Sequence, residues 1–193
     1  MRPTILRALF ALVFCLVWPG AVLAGDDQKE FDREMRVAAS IGDNEAIEDL
    51  LRRGADVNAK TDAGSTALDE LAKSHRYWGH RRPGVEPKGM AELLLARGAT
   101  VDVNDDGSAV LQFASEHGVM ELAERAVAAG VSLDETRWGY GPPLMVAISN
   151  GHRSVAKLLI AEGADVNVKD QKGATALLCV ALKFDAELDE MLL

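Results

Sequence analysis

The sequence has only two cysteines, Cys15 and Cys179, among its 193 residues. We expect Cys15 to be removed with an N-terminal segment, and Cys179 then has no partner for an intrachain disulfide. Long apolar runs are also missing after residue 24, where no segment reaches the roughly 20 apolar residues that a membrane-spanning helix needs. Packing of side chains in a core must therefore stabilise the fold.

Basic residues are outnumbered by acidic ones, with 21 Lys and Arg against 30 Asp and Glu and a formal net charge of −9. This excess of negative charge argues against nucleic acid or an anionic membrane surface as the partner. It mildly favours a partner that is itself basic.

Catalytic motifs are missing as well. The sequence contains no Gly-rich phosphate loop and no H-E-x-x-H segment, and no nucleophile elbow surrounds Ser149, so a triad with His152 and Asp165 is not favoured. His75 and His80 lie five residues apart, with no Cys or carboxylate cluster at ligand spacing beside them. We therefore expect no enzyme activity, no catalytic residue, no cofactor and no metal site.

The N-terminus has the composition of an export signal. Arg2 and Arg7 precede an apolar run from Ala8 to Trp18, and residues 22–24 offer small side chains at a cleavage site. This order predicts a secretory signal peptide over residues 1–24, and the run is short for a membrane anchor. Cleavage removes two Arg and no acidic residue, which changes the net charge from −9 to −11. We expect a periplasmic, or secreted, protein with no membrane insertion after cleavage.

An internal repeat decides the predicted fold. One segment recurs four times, as RRGADVNAK (Arg52–Lys60), ARGATVDVN (Ala96–Asn104), AAGVSLDET (Ala128–Thr136) and AEGADVNVK (Ala161–Lys169). A second recurs as GSTAL, GSAVL, YGPPL and GATAL, which end at Leu68, Leu111, Leu144 and Leu177. The last three leucines are 33 residues apart, whereas 43 residues separate the first two. The period is thus about 33 residues, with an insertion between Leu68 and Gly98.

The repeated glycines and leucines have a physical reading. Each of the glycines at 54, 98, 130 and 163 follows an apolar helix end, where a left-handed residue costs Gly least. Apolar pairs such as Leu94/Leu95 and Leu159/Ile160 lie three and four residues before them. We expect these pairs and the alanines of the preceding helices to form one continuous core.

These segments resemble the ankyrin repeat, whose unit is a β-turn followed by two antiparallel helices at this period. The resemblance implies an all-α solenoid of helix-turn-helix units joined by short β-turn or hairpin connections, with charged end units that close the array. The predicted domain is 25–193, with units at about 31–60, 61–103, 104–135, 136–169 and 170–193 and an insertion at 76–88. The family's TPLH motif is incomplete in all four matching segments: none has its His, and only one, at Pro143, has its Pro. This predicts inner helices that are held less rigidly at their starts.

The resemblance also implies a binding surface, since partners of such arrays usually meet the turn tips and the exposed side of the inner helices. On this chain those positions include acidic residues that would make the middle of the surface negative: Asp62, Asp69, Asp105, Asp106 and Glu116. The alternative is a solvated charged face without a partner.

Two aromatic groups are further candidates for partner contact. Arg137, Trp138 and Tyr140 cluster at one turn tip and are residue types that dominate interface hot spots, although Trp138 could instead fold back onto the neighbouring turn. Tyr77 and Trp78 lie in the insertion, which is either a tolerated loop or a second contact site.

We therefore predict a monomeric, non-enzymatic protein-binding scaffold or adaptor that acts in the bacterial envelope. The alternative is an immunity protein that neutralises a toxin delivered to the periplasm, for which an acidic face would suit a basic toxin.

Export can be tested directly. Residues 1–30 fused to a reporter that is active only outside the cytoplasm should give activity, and the mature N-terminus should be Gly25 by terminal sequencing. Retention of residues 1–24 in a membrane fraction would contradict the signal-peptide prediction.

Overall fold

The computed structural model describes residues 25–78, 86–102, 107–136, 139 and 141–183. Within these ranges it has helices and no strand, which confirms the predicted all-α class. The helices are α1 Gly25–Ile41, α2 Asn44–Arg52, α3 Ala67–Trp78, α4 Pro87–Ala96, α5 Gly107–His117, α6 Met120–Ala128, α7 Pro143–Asn150, α8 Arg153–Ala161 and α9 Ala176–Lys183. The predicted signal peptide and the last outer helix lie outside the described residues.

The helices form a stack of hairpins. α1 packs on α2, α3 on α4, α5 on α6 and α7 on α8, while the inner helices α1, α3, α5, α7 and α9 pack on one another in succession. One hydrophobic core runs through the whole described stack. Each unit therefore buries its apolar faces against its neighbours, as expected for a repeat array.

The outer helices end in the same hydrogen-bonded motif. At the end of α4, the amide of Gly98 donates to the carbonyl of Leu95 at 2.9 Å, and the amide of Ala99 donates to that of Leu94 at 3.0 Å. This is a Schellman motif, and Gly98 has the positive φ of 87° that it requires. The same pair of bonds recurs after α2, α6 and α8, which confirms the predicted role of the repeated glycines.

Polar side chains join consecutive outer loops. The Asn58 side chain donates to the carbonyl of Gly98 at 3.0 Å and accepts from the amide of Thr100 at 2.8 Å. Asp134 accepts from the amide of Asp165 at 2.9 Å in the equivalent position two units later. Asn58 and Asp134 each stand four positions after a left-handed glycine, Gly54 and Gly130, and their side chains help to set the register between these units.

The start of α3 differs from the prediction of a loosely held helix. The Asp69 carboxylate accepts hydrogen bonds from the amide and the hydroxyl of Thr66, at 2.8 and 2.9 Å. Asp69 stands at the position where the family's motif has His, so a reciprocal Thr–Asp cap replaces the missing histidine.

The structure has no helix that is both long and apolar enough to cross a membrane among its described residues. Leu177 and Leu178 of α9 are exposed.

The stacked core gives a stability prediction. Leu159 is fully buried in α8, whereas Ser154 in the same helix is exposed. Leu159→Ala should lower the free energy of unfolding by about 2–5 kcal/mol because it removes buried methyl groups and leaves a cavity. Ser154→Ala should change it by less than about 0.5 kcal/mol. Chemical denaturation monitored by circular dichroism measures both, and equal effects would mean that the register is wrong.

Candidate binding surface

A groove of about 610 Å³ lies at the first-unit end of the inner-helix side. Residues of α1, of the turn before α3 and Glu70 in the first turn of α3 line it. The lining residues are Lys29, Asp32, Arg33, Arg36, Val37, Ser40, Ala59, Lys60, Thr61, Asp62 and Glu70. One turn tip and parts of two inner helices thus line this groove, and Asp62 is the predicted contact residue among them.

Local hydrogen bonds hold the turn tip in shape. The amide of Thr61 donates to the carbonyl of Ser65 at 2.9 Å, and the amide of Gly64 donates back to the carbonyl of Thr61 at 2.8 Å. The tip between Asp170 and Ala174 has the same two bonds, which shows that the turn repeats along the array. Asp62, at the apex of the first tip, is exposed as predicted. A tip closed in this way presents its side chains from a well-defined backbone.

The groove carries charges of both signs. Four basic and three acidic side chains line it, so its formal charge is +1. Lys60 at its edge pairs with Asp102 of the next loop at 2.5 Å. The hydrogen bond to Asp102, together with that residue's negative charge, raises the pKa of Lys60 above its ordinary value. The groove is therefore a mixed-charge surface and not an acidic one.

The predicted acidic surface is wrong at Asp69. This carboxylate is only 2% exposed, because it caps the first turn of α3 instead of facing solvent. Glu116 is half-buried, and its Oε2 lies 3.3 Å from Nε2 of His75. Asp105 and Asp106 lie outside the described residues.

The predicted aromatic sites are only partly covered by the structure. Arg137, Trp138 and Tyr140 lie outside the described residues, as do the side chains of Tyr77 and Trp78. α3 continues through Trp78 and α4 begins at Pro87, so both ends of the predicted 76–88 insertion are helical.

A cluster that the sequence reasoning missed lies between the second and third units. His75 is 4% exposed, and its ring makes edge contacts with the rings of Phe113 and His117, at centroid distances of 4.8 and 4.9 Å. The sequence did hold a signal, because His75 and His117 both fall in the last turns of consecutive inner helices. They are 42 residues apart, which is about one period plus the insertion that lies between them.

His152 joins the same region from the next unit. Its Nε2 lies 3.0 Å from the carbonyl oxygen of Glu116, and its ring covers the backbone of Gly118. A Cβ atom at Gly118 would lie within 3 Å of that ring, and Gly118 also has a positive φ of 68°. His152 therefore packs as a structural residue at the turn before α8.

Comparison with known proteins gives two family matches. Residues 85–170 match the family described as Ankyrin repeats (3 copies), and residues 35–62 match Ankyrin repeat. An ankyrin repeat-containing protein of Treponema pallidum (strain Nichols) is 33% identical over 106 residues, which cover 54% of this chain. The match covers 36% of that protein, so this chain corresponds to about a third of its length.

Asp69, buried in α3, and Asp62, exposed on the preceding turn, give a matched pair of variants. Asp69→Ala should destabilise the fold by about 1–3 kcal/mol, since it removes the cap and leaves a buried amide without its acceptor. Asp62→Ala should be nearly neutral because Asp62 is exposed at the tip. Thermal or urea denaturation compares them, and a neutral Asp69→Ala would show that the cap does not hold the start of α3.

Proposed function

We propose that this chain, which belongs to the ankyrin-repeat family, is a non-enzymatic scaffold that binds another protein in the bacterial envelope. Ankyrin repeats commonly mediate protein–protein interaction. The observation that carries the proposal for this chain is the groove between α1 and the tip at residues 59–62, which presents charged side chains on a hydrogen-bonded backbone.

The groove suits a protein surface better than the other partner classes. Its basic and acidic side chains are interspersed, whereas nucleic acid or an anionic membrane would need a predominantly positive face. A stacked core behind the groove keeps the inner helices in place, so little ordering cost is added on binding. The partner would dock onto a largely preformed surface.

The envelope location depends on the predicted signal peptide over residues 1–24. The bacterial source of the relative is compatible with it. The chain would then act as a monomer after cleavage, with its groove and turn tips available to a partner in the periplasm.

A toxin as the partner is the narrower alternative. It rested on an acidic face, and the burial of Asp69 together with the four basic side chains of the groove removes much of that reasoning. The identity of a captured partner decides between an adaptor and an immunity protein.

The test uses the exported protein as bait in an envelope extract, followed by binding measurements on the captured partner. Arg36→Glu reverses a charge inside the groove and should weaken binding, chiefly by slowing association. Arg97→Glu makes the same change beyond the end of α4 and is the matched control. Trp138→Ala should cost at least about 2 kcal/mol if the third tip also anchors the partner.

Three outcomes are informative. Weaker binding for Arg36→Glu than for Arg97→Glu supports the groove. Equal affinity for both variants, with loss only for Trp138→Ala, moves the contact to the third tip. No specific partner for the folded wild-type protein would overturn the binding function.

A further inference from the structure

Three potential metal ligands meet between the second and third units. His75 lies in the last turns of α3, and Glu116 and His117 end α5. One ligand atom from each, an imidazole nitrogen or a carboxylate oxygen, lies within 4.8 Å of the other two. The packing of two inner helices brings together side chains that are 41 residues apart in the sequence.

His75 is held in the orientation that a metal ligand needs. Its Nδ1 lies 2.8 Å from the carbonyl oxygen of Ala72. A carbonyl can only accept, so Nδ1 carries a proton and donates it, which leaves the lone pair of a neutral ring on Nε2. Metal-binding histidines are commonly fixed in this way, by a hydrogen bond from the second ring nitrogen to a backbone carbonyl.

Nε2 of His75 in turn faces another acceptor. It lies 3.3 Å from Oε2 of Glu116, in a place where His75 is almost fully buried and the Glu116 side chain is 23% exposed. A lone pair opposite a carboxylate oxygen is unfavourable in such surroundings unless a cation lies between the two atoms. That cation is either a proton shared by His75 and Glu116 or a metal ion.

His117 favours the metal ion. A proton shared by His75 and Glu116 needs only those two groups. A metal ion needs more ligands, and the His117 imidazole beside them can supply a third. The rings of His75 and His117 are 4.9 Å apart at their centroids and nearly perpendicular, at 81°. Both can therefore direct a nitrogen toward one point without stacking face to face.

We infer that His75, Glu116 and His117 form a site for a divalent transition-metal ion, with Zn²⁺ as the best match. Zinc accepts two imidazoles and a carboxylate in tetrahedral geometry and can take water as its fourth ligand. Bonds of 2.0–2.2 Å place tetrahedral ligand atoms about 3.4 Å apart, and the His75–Glu116 pair already has this spacing. Imidazole ligands disfavour Mg²⁺ and Ca²⁺, which prefer oxygen.

Binding requires only a small adjustment. The widest separation of 4.8 Å must close by about 1.4 Å to reach the tetrahedral ligand spacing. His117 is the last residue of α5 and precedes Gly118, so a rotation of its side chain disturbs little of the helix. The partly exposed carboxylate of Glu116 gives the ion and a bound water a path from solvent.

A bound ion would join the second and third units. α3 contributes one ligand and α5 contributes two, so the metal stabilises the interface beside the start of the 76–88 insertion. This role is independent of the proposed partner binding, because the groove lies between α1 and the tip at residues 59–62.

The test is zinc titration of the untagged protein, purified after export and freed of metal, in competition with a chromophoric chelator. We expect a single strong site and, with Co²⁺ in place of Zn²⁺, the visible absorption bands of a tetrahedral centre. Glu116→Gln and His117→Gln should each weaken binding at least about 10-fold, since even the loss of an outer-shell partner commonly costs 10–100-fold in metal affinity. Zn²⁺ should also raise the Tm of the wild type more than that of Glu116→Gln.

His80→Gln and Cys179→Ser are the controls, because these residues could hold zinc outside the proposed site. Both should bind zinc as the wild type does. His75→Gln should lose binding too, but its side chain is buried, so circular dichroism must first show that this variant folds; the other two ligand variants carry the test if it does not. Absence of a strong site in the folded wild type, or equal affinity in the ligand variants and controls, would overturn the inference and leave a proton-shared His75–Glu116 pair.

Discussion

The packing of each inner helix against the next is the constraint on which the rest of the structure depends. No single hairpin has enough apolar partners of its own, so each unit is stable only between neighbours. Small residues make this close approach possible, and Ala72, Ala114 and Ala147 are fully buried along the successive inner helices. The outer helices and the left-handed glycines that end them then fix where the chain returns to begin the next unit.

The same packing decides where functional side chains can lie. Most apolar residues of the inner helices are committed to the core, so the turn tips, the groove beside α1 and the junctions at the ends of the inner helices remain for other roles. The groove and the His75–Glu116–His117 cluster occupy two of these places. Each is made by adjacent units, which means that both depend on the stacking being correct.

Charge shows how strongly the surroundings of a residue determine its role. Asp62 and Asp69 are seven residues apart and identical in chemistry, yet one lies exposed on a tip and the other is buried as a helix cap. Lys60 pairs with Asp102 across two loops. Net charge therefore describes the chain as a whole but does not say that Asp69 is buried.

The sequence by itself determined the repeat, the helical hairpins and the positions of the glycines that end them. These features follow from local backbone preferences and from an apolar pattern of fixed period, both of which are readable along one chain. The charge of the groove and the meeting of His75 with Glu116 and His117 were decided only by the tertiary structure. They depend on the register in which one inner helix packs on the next, and local preferences do not contain that register, because the residues that meet come from different units.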